Sequence, residues 1–400
     1  MKIAIIAPTQ IPARRANTLQ VMKMTQAMVA LGHTVCLLAP EPNGNVDPRV
    51  QIDWDELASH YGLQGSFPIE WLPAMPGLRR YDFSWRAVRW SRAWQADLIY
   101  TRMPQAAGLA SQLGDRVIYE IHDLPQGFIG PRLLRWFLKG RGAYRLAVIT
   151  RALAADLQDR FDLPVGSPLV RIAPDGVDLE RYTGLPASQS ARLSLVSEIA
   201  GAWPVALEPE RFTAGYTGHL YAGRGVELLL ALAARLPEVN FLIVGGEPQD
   251  VEGLRQRVRL AGLVNVILTG FIPNAQLPRF QAACDVLLMP YQRQVAASSG
   301  GDISRYLSPM KLFEYLACER PIISSDLPVL REVLHAENSL LLPCDDIDAW
   351  VSALHKLETD PGLCQRLAAR ARQDAQQYTW EARVRKILSE YFPAGGKIER

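Results

Sequence analysis

Cysteine is scarce in this chain of 400 residues. The five present, Cys36, Cys284, Cys318, Cys344 and Cys364, are scattered, with no Cys-x-x-Cys pair and no neighbouring histidine. That excludes a disulfide framework and a zinc-ligand array, and it suits a reducing compartment. An excess of one charge is also missing. Lys and Arg number 43 against 41 Asp and Glu, so no global field favours nucleic acid, and any basic site must be local. Nowhere do roughly eighteen apolar residues run without charges, which excludes a spanning helix. The opening Met1-Lys2-Ile3-Ala4-Ile5-Ile6-Ala7-Pro8 is too short in apolar residues for a signal peptide and lacks the small-residue cleavage pattern. Internal repeats and low-complexity segments are absent. The expected setting is cytoplasmic.

What is present is alternation. Ile3 to Ala7 reads as a strand, followed by a loop to Asn17 and a helix with Val21, Met24, Met28 and Leu31 at helical spacing, stopped by Gly32. His33 to Ala39 is the next strand, and strands near 97–100, 117–121, 146–150 and 170–173 continue the pattern of a doubly wound parallel sheet. Residues 1–185 form the first expected domain. Residues 186–210, rich in Pro, Gly and Ser, read as a linker with at most a short helix. A second α/β domain is expected over 211–377, with strands near 212–216, 240–244, 266–268, 285–289, 321–324 and 339–342. Residues 378–400 hold an amphipathic closing helix with Trp380, Val384, Ile387, Leu388 and Tyr391, then a frayed tail after Phe392.

In parallel sheets ligands bind beyond the carboxyl ends of the strands. After the first strand of the second domain runs Gly215-Tyr216-Thr217-Gly218-His219-Leu220-Tyr221-Ala222-Gly223-Arg224-Gly225. Glycines and an arginine at a strand-to-helix turn bring backbone N–H groups and a fixed cation to a phosphate, or form a tight turn needing positive φ. Lys311, in Ser308-Pro309-Met310-Lys311-Leu312-Phe313-Glu314, falls near a helix N-terminus primed by Pro309. Glu314 follows by three residues, so it either pairs with Lys311 or accepts hydrogen bonds from ribose hydroxyls.

Together these segments resemble the retaining GT-B glycosyltransferases of family four (glycosyl transferases group 1). Ser308 to Ser324 is similar to that family's donor motif in its Ser-Pro-x-Lys variant. Pro174-Asp175-Gly176-Val177-Asp178 resembles the Pro-Asn-Gly-Val-Asp turn, and the Trp380 helix resembles the one that crosses back to the first domain. The resemblance implies two facing Rossmann-like domains and transfer of a sugar from a nucleotide diphosphate sugar to an acceptor with retention. It implies no bound metal and no cofactor. It implies a donor site of Gly218, His219, Gly223, Arg224, Gly245, Gly246, Lys311, Leu312 and Glu314, with Arg224, Lys311 and His122 in catalysis. His122 ends a first-domain strand where the family has a histidine lining the cleft.

The chain departs from the family in three places. Tyr306 stands where a first glutamate is usual, and Asp302 or loop backbone groups are the substitutes available. His219 and Arg224 stand where the family has arginine and lysine, which makes one cation pH-dependent. The first loop, Pro12-Ala13-Arg14-Arg15-Ala16-Asn17-Thr18, lacks the usual Gly-Gly pair. Arg14, Arg15 and Asn17 either hold an acidic or phosphorylated acceptor or form an exposed turn with a helix cap at Asn17 or Thr18. The basic amphipathic stretch 131–141, with Arg132, Arg135 and Lys139 on one stripe, is either a packed helix or a peripheral contact with the inner face of a membrane. Polysaccharide, glycolipid and small-molecule acceptors stay open. The rival readings are a nucleotide-sugar-binding protein without catalysis and a nucleotide-sugar epimerase. The absence of Gly-x-Gly-x-x-Gly after the first strand counts against the latter.

Overall fold

A computed structural model describes residues 1–41, 53–75, 77–78, 80–199, 207–296 and 301–389. Pro204, Tyr391 and the tail after Phe392 lie outside the described residues. The chain divides into two compact units, Met1–Asp175 with Trp380–Arg400, and Gly176–Thr379.

The first unit runs β1 (Lys2–Ile6), α1 (Ala16–Ala30), β2 (Thr34–Pro40), α2 (Trp54–Tyr61), β3 (Ile69–Leu72), α3 (Tyr81–Ala93), β4 (Leu98–Thr101), α4 (Pro104–Gln112), β5 (Val117–Ile121), α5 (Ile129–Leu138), β6 (Ala143–Val148), α6 (Arg151–Phe161) and β7 (Val170–Ile172). Its seven strands pair in parallel in the order β3-β2-β1-β4-β5-β6-β7. Helices cover both faces, so the central strands are apolar in continuous runs such as Ile3-Ala4-Ile5-Ile6, all buried. The edge strand β3 is absent from the sequence reading. Its four residues include Glu70 and lie between Pro68 and Pro73, too short and interrupted to show a period, and pairing with β2 makes it a strand. The loop before α1 also differs from expectation. The N-cap is Arg15 with no side-chain cap, Asn17 is inside the helix, and the Thr18 hydroxyl bonds Thr9 instead, so the cap at Asn17 or Thr18 is not formed.

The second unit opens with α7 (Ser188–Ile199) and continues β8 (Thr213–Thr217), α8 (Val226–Arg235), β9 (Asn240–Val244), α9 (Pro248–Leu260), β10 (Val266–Gly270), α10 (Leu277–Ala282), β11 (Val286–Met289), α11 (Met310–Ala317), β12 (Ile322–Ser325), β13 (Leu340–Leu342), α12 (Ile347–Thr359) and α13 (Pro361–Ala375). The six strands are parallel in the order β10-β9-β8-β11-β12-β13. Within 186–210, α7 is a packed part of this unit. Arg192 bonds Asp285 at 2.8 Å and the carbonyls of Pro209 and Ala283, and Leu195 is buried. Proline and serine content marked the segment's ends and hid the helix between them.

The last helix, α14 (Trp380–Leu388), belongs to the first unit, where it packs on α1 with Trp380, Val384 and Ile387 buried. In both sheets the strand order reverses, between β1 and β4 and between β8 and β11. That reversal opens a crevice at the carboxyl ends of those strands, where α/β sheets bind ligands.

Candidate functional site

In the second unit the loop after β8 lies against the loops after β9 and β11. The Gly218 N–H donates to Val244 O at 2.8 Å, and the Gln292 N–H donates to Gly223 O at 2.9 Å. The approach is close enough to need glycine. A Cβ on Gly223 would stand 2.0 Å from Gln294 O, and one on Gly245 would stand 2.5 Å from Gly218 O, with φ of +80° and +111° at the two residues. Gly246 is hemmed in by the Leu220 side chain in the same way. The glycines the sequence singled out therefore serve a tight turn and expose backbone at the reversal point together.

A lysine, an arginine and a histidine converge over these glycines. Lys311, in the first turn of α11, places Nζ 3.7 Å from the centre of the Tyr216 ring and 2.8 Å from where a Gly218 Cβ would be. Arg224 donates to the Tyr291 hydroxyl at 3.3 Å. His219 stacks on Tyr221 with ring centres 4.7 Å apart. Lys311 Nζ, Arg224 Nε and His219 Nδ1 are all buried and lack a hydrogen-bond partner among the described residues. Burial, and then the neighbouring Arg224, hold the Lys311 ammonium well below the usual lysine range, against a weaker pull from Glu314. Burial also lowers His219; Glu247 opposes this, while Arg224 and Lys311 add to it. Buried donors without acceptors are costly, and an anion would satisfy all three.

Glu314 does not occupy Lys311. It is buried and accepts from Gln281 Nε2 at 3.2 Å; the same nitrogen reaches the Thr217 hydroxyl, and Thr217 donates its N–H to the Tyr315 hydroxyl at 2.8 Å. This network ties the end of β8 to α10 and α11 and sets the height of the Gly218 loop. Leu312 lies in the hydrophobic core with its N–H bonded to Pro309 O. Asp302 accepts from the N–H groups of Val295 and Ser304, which lower its pKa, and so shapes the loop leading to Tyr306. Tyr216, Tyr291, Gln281 and Tyr315 escaped the sequence reading. Tyr216 had a signal, being the last large side chain of a strand before a glycine, while Gln281 on a helix two strands away had none.

The first unit gathers a different set at the carboxyl end of its sheet. Glu120, fully buried in β5, bonds the His122 imidazole, accepts from Gln20 Nε2 of α1 at 2.6 Å, and pairs with Arg383 of α14 at 3.0 Å. Arg102 donates to Gln20 Oε1 at 3.3 Å, and burial lowers its pKa to about 10, with Asp175 opposing. Ligand atoms of Glu120, His122 and Asp175 all fall within 4.8 Å of one another. The guanidinium of Arg383, in contact with Glu120, already supplies the charge a divalent ion would bring, so the set does not fit a metal. Arg14 and Arg15, on a loop whose Ala13 N–H donates to the Tyr61 hydroxyl at 2.7 Å, and Asn17 in the first turn of α1 are exposed.

A parallel sheet in each unit, with a glycine-and-cation crevice in the second, defines a GT-B fold. Solved structures agree on the fold over nearly the whole chain. Sucrose-phosphate synthase from Thermosynechococcus elongatus matches with TM-score 0.70 at 20% identity, covering 96% of both chains. Anabaena HepE in complex with UDP matches with TM-score 0.69 at 19% identity, covering 98% of this chain and all of that one. Residues 19–181 match the model for Glycosyltransferase Family 4, and residues 211–360 match the model for Glycosyl transferases group 1. The chain is a glycosyltransferase of family-4 homology, and it moves a sugar from a nucleotide diphosphate sugar to an acceptor. Among its relatives, the phosphatidyl-myo-inositol mannosyltransferase of Mycolicibacterium smegmatis is 24% identical over 100% of this chain and 96% of the relative. The 2-deoxystreptamine N-acetyl-D-glucosaminyltransferase of Streptomyces fradiae is 27% identical over 64% of this chain and 57% of the relative.

Proposed function

We propose that the second unit holds the nucleoside diphosphate of the donor on Lys311, Arg224, His219 and the Gly218 loop, and that the first unit receives the acceptor through His122 and the 14–17 loop, with retention at the anomeric carbon. The observation that carries the donor assignment is the trio of buried, unpartnered nitrogens on Lys311, Arg224 and His219. In the reaction the bond from the anomeric carbon to the diphosphate breaks and a bond to an acceptor oxygen forms, while the proton of the acceptor hydroxyl passes to the departing diphosphate. Charge then grows on the departing diphosphate, where Lys311 and Arg224 stabilise it. Glu314, which accepts from Gln281 through Oε2, is the group for ribose hydroxyls.

A thermal-shift screen against uridine, guanosine and adenosine diphosphates and their sugars tests this reading. Stabilisation by one nucleoside diphosphate, lost in Lys311→Ala, supports it; no response to any of them removes the donor assignment.

The acceptor side carries a second proposal, peripheral contact with an anionic membrane through α5. Arg132, Arg135, Trp136 and Lys139 are exposed while Leu134 and Phe137 face the core, and Phe128 and Ile129 at the helix start are exposed by 74% and 55%. Among the described residues no helix is long and apolar enough to cross a membrane. Co-sedimentation with phosphatidylglycerol vesicles, retained by the wild type and lost in Arg132→Glu/Arg135→Glu/Lys139→Glu, is the expected outcome. Equal behaviour of the two proteins rejects the contact.

A further inference from the structure

His122 is held from both ends of the chain. Its Nε2 contacts Glu120 Oε1, and the same oxygen takes Gln20 Nε2 from α1 and Arg383 Nη2 from α14. Arg383 is itself immobilised. Its Nε donates to Pro174 O at 2.9 Å, and Nη1 reaches the Tyr100 hydroxyl at 3.2 Å and Met24 Sδ at 3.0 Å. Its side chain is 2% exposed, and that of Glu120 is 0% exposed. A fully buried carboxylate flanked by a fixed guanidinium stays charged and can only accept. The ring nitrogen that faces it must therefore carry hydrogen. No hydrogen bond to His122 Nδ1 is formed among the described residues, and the side chain is 21% exposed.

We propose that Glu120 and Arg383 are positioning residues that keep the proton of the neutral His122 ring on Nε2, with burial and Arg102 keeping the ring neutral, and so leave Nδ1 as a hydrogen-bond acceptor for a substrate hydroxyl. This rests on the reading of His122 as a group that touches substrate. It adds the tautomer, the direction of the hydrogen bond, and a role for the last helix in the chemistry. An imidazolium would present a donor at Nδ1 and could not accept from a hydroxyl, so neutrality is part of the function. The charged and titratable groups facing the ring are Glu120 from its own strand, Arg102 after β4 and Asp175 after β7, with Arg383 reaching it through Glu120. Burial and then Arg102 lower the His122 pKa, while Glu120 and Asp175 pull it up. Burial raises Glu120, but Arg383 and His122 outweigh it and leave the carboxyl below its ordinary range.

The test is nitrogen NMR of the full-length protein labelled with 15N-histidine. There are six histidines, and His122→Ala assigns the signal. In the wild type the expected result is a neutral ring protonated at Nε2. Glu120→Gln removes a charge that favours imidazolium, so His122 titrates at lower pH and the Nδ1–H tautomer becomes populated. Arg383→Gln leaves the Glu120 charge uncompensated, so His122 titrates about one pH unit higher; Arg383→Lys keeps the wild-type tautomer. Opposite shifts in the two Gln variants distinguish positioning from a merely structural role, which would lower melting temperature without moving the titration in opposite directions. A wild-type ring protonated at Nδ1, or one titration point shared by all variants, overturns the proposal. If Arg383→Gln does not fold, Glu120→Gln and Arg383→Lys decide it. Nucleotide binding in the second unit is read separately by thermal shift, so loss of the donor assignment would leave this result standing and the two failures can be told apart.

Discussion

The two units have sheets of the same kind, each with a charged cluster at the carboxyl edge near its strand reversal, but they handle buried charge in opposite ways. In the first, the two arginines near His122 have acceptors within reach: Arg383 has Glu120 and Pro174 O, and Arg102 has Gln20 with Asp175 nearby. In the second, Lys311 Nζ, Arg224 Nε and His219 Nδ1 have no hydrogen-bond partner among the described residues, and the buried carboxylate Glu314 accepts from Gln281. A cluster that neutralises itself suits a neutral, hydroxyl-bearing ligand. A cluster with buried nitrogens that lack hydrogen-bond partners among the described residues suits an anion, and it stores a destabilisation that the ligand relieves.

The same kind of substitution should therefore have opposite effects on stability in the two units, and the largest expected effect lies in the first. Arg383→Met strands the Glu120 carboxylate in the interior and should cost about 3–5 kcal/mol of unfolding free energy in urea titration. A loss below about 1 kcal/mol would show that the pair is not the anchor of α14. Next in size is the donor site. Lys311→Met should weaken nucleoside diphosphate binding by about 1.5–3 kcal/mol, roughly ten- to a hundredfold in Kd by calorimetry. The same variant without ligand should be as stable as the wild type or more so, by up to about 2 kcal/mol, because an unpaired buried cation has gone. If it is destabilised as Arg383→Met is, the contrast between the units fails.

A smaller effect is the pH dependence of donor binding. In the free site Lys311 is held below its ordinary range, and an arriving diphosphate favours the ammonium, so binding above the free-site pKa takes up a proton. Affinity should fall as pH rises, with a limiting slope of about tenfold per pH unit for one proton. His219, also lowered, acts in the same direction on the acid side, and His219→Ala should flatten that part of the curve. A Kd independent of pH in the wild type would mean that Lys311 is charged before the ligand arrives.

Much of this was legible in the residues. Gly218, Gly223, Arg224, Gly245 and Gly246 sit in strand-end loops, and Lys311 sits one residue into α11 after Pro309, as the neighbouring residues implied. These features are local, and local features survive without coordinates. The strand β3 was not legible, because only pairing with β2 makes four residues between prolines a strand. The helix α7 was not either, because what holds it is Arg192 reaching Asp285, 93 residues away. At a spacing of three the sequence could not show that Glu314 Oε2 accepts from Gln281 on another helix while Lys311 Nζ has no hydrogen-bond partner among the described residues.

The sequence by itself determined the alternation of strands and helices, the glycine-and-cation loops, the location of His122 at a strand end and the kinship with family-4 glycosyltransferases, because each is written in neighbouring residues and their period. Only the tertiary structure decided which charges are compensated. Gln20, Glu120 and Arg383 are brought to one point by two helices and a strand from opposite ends of the chain, and Lys311 Nζ, set over the Tyr216 ring, has no hydrogen-bond partner among the described residues. Electrostatic compensation depends on distances across the fold, and spacing along the chain does not encode them.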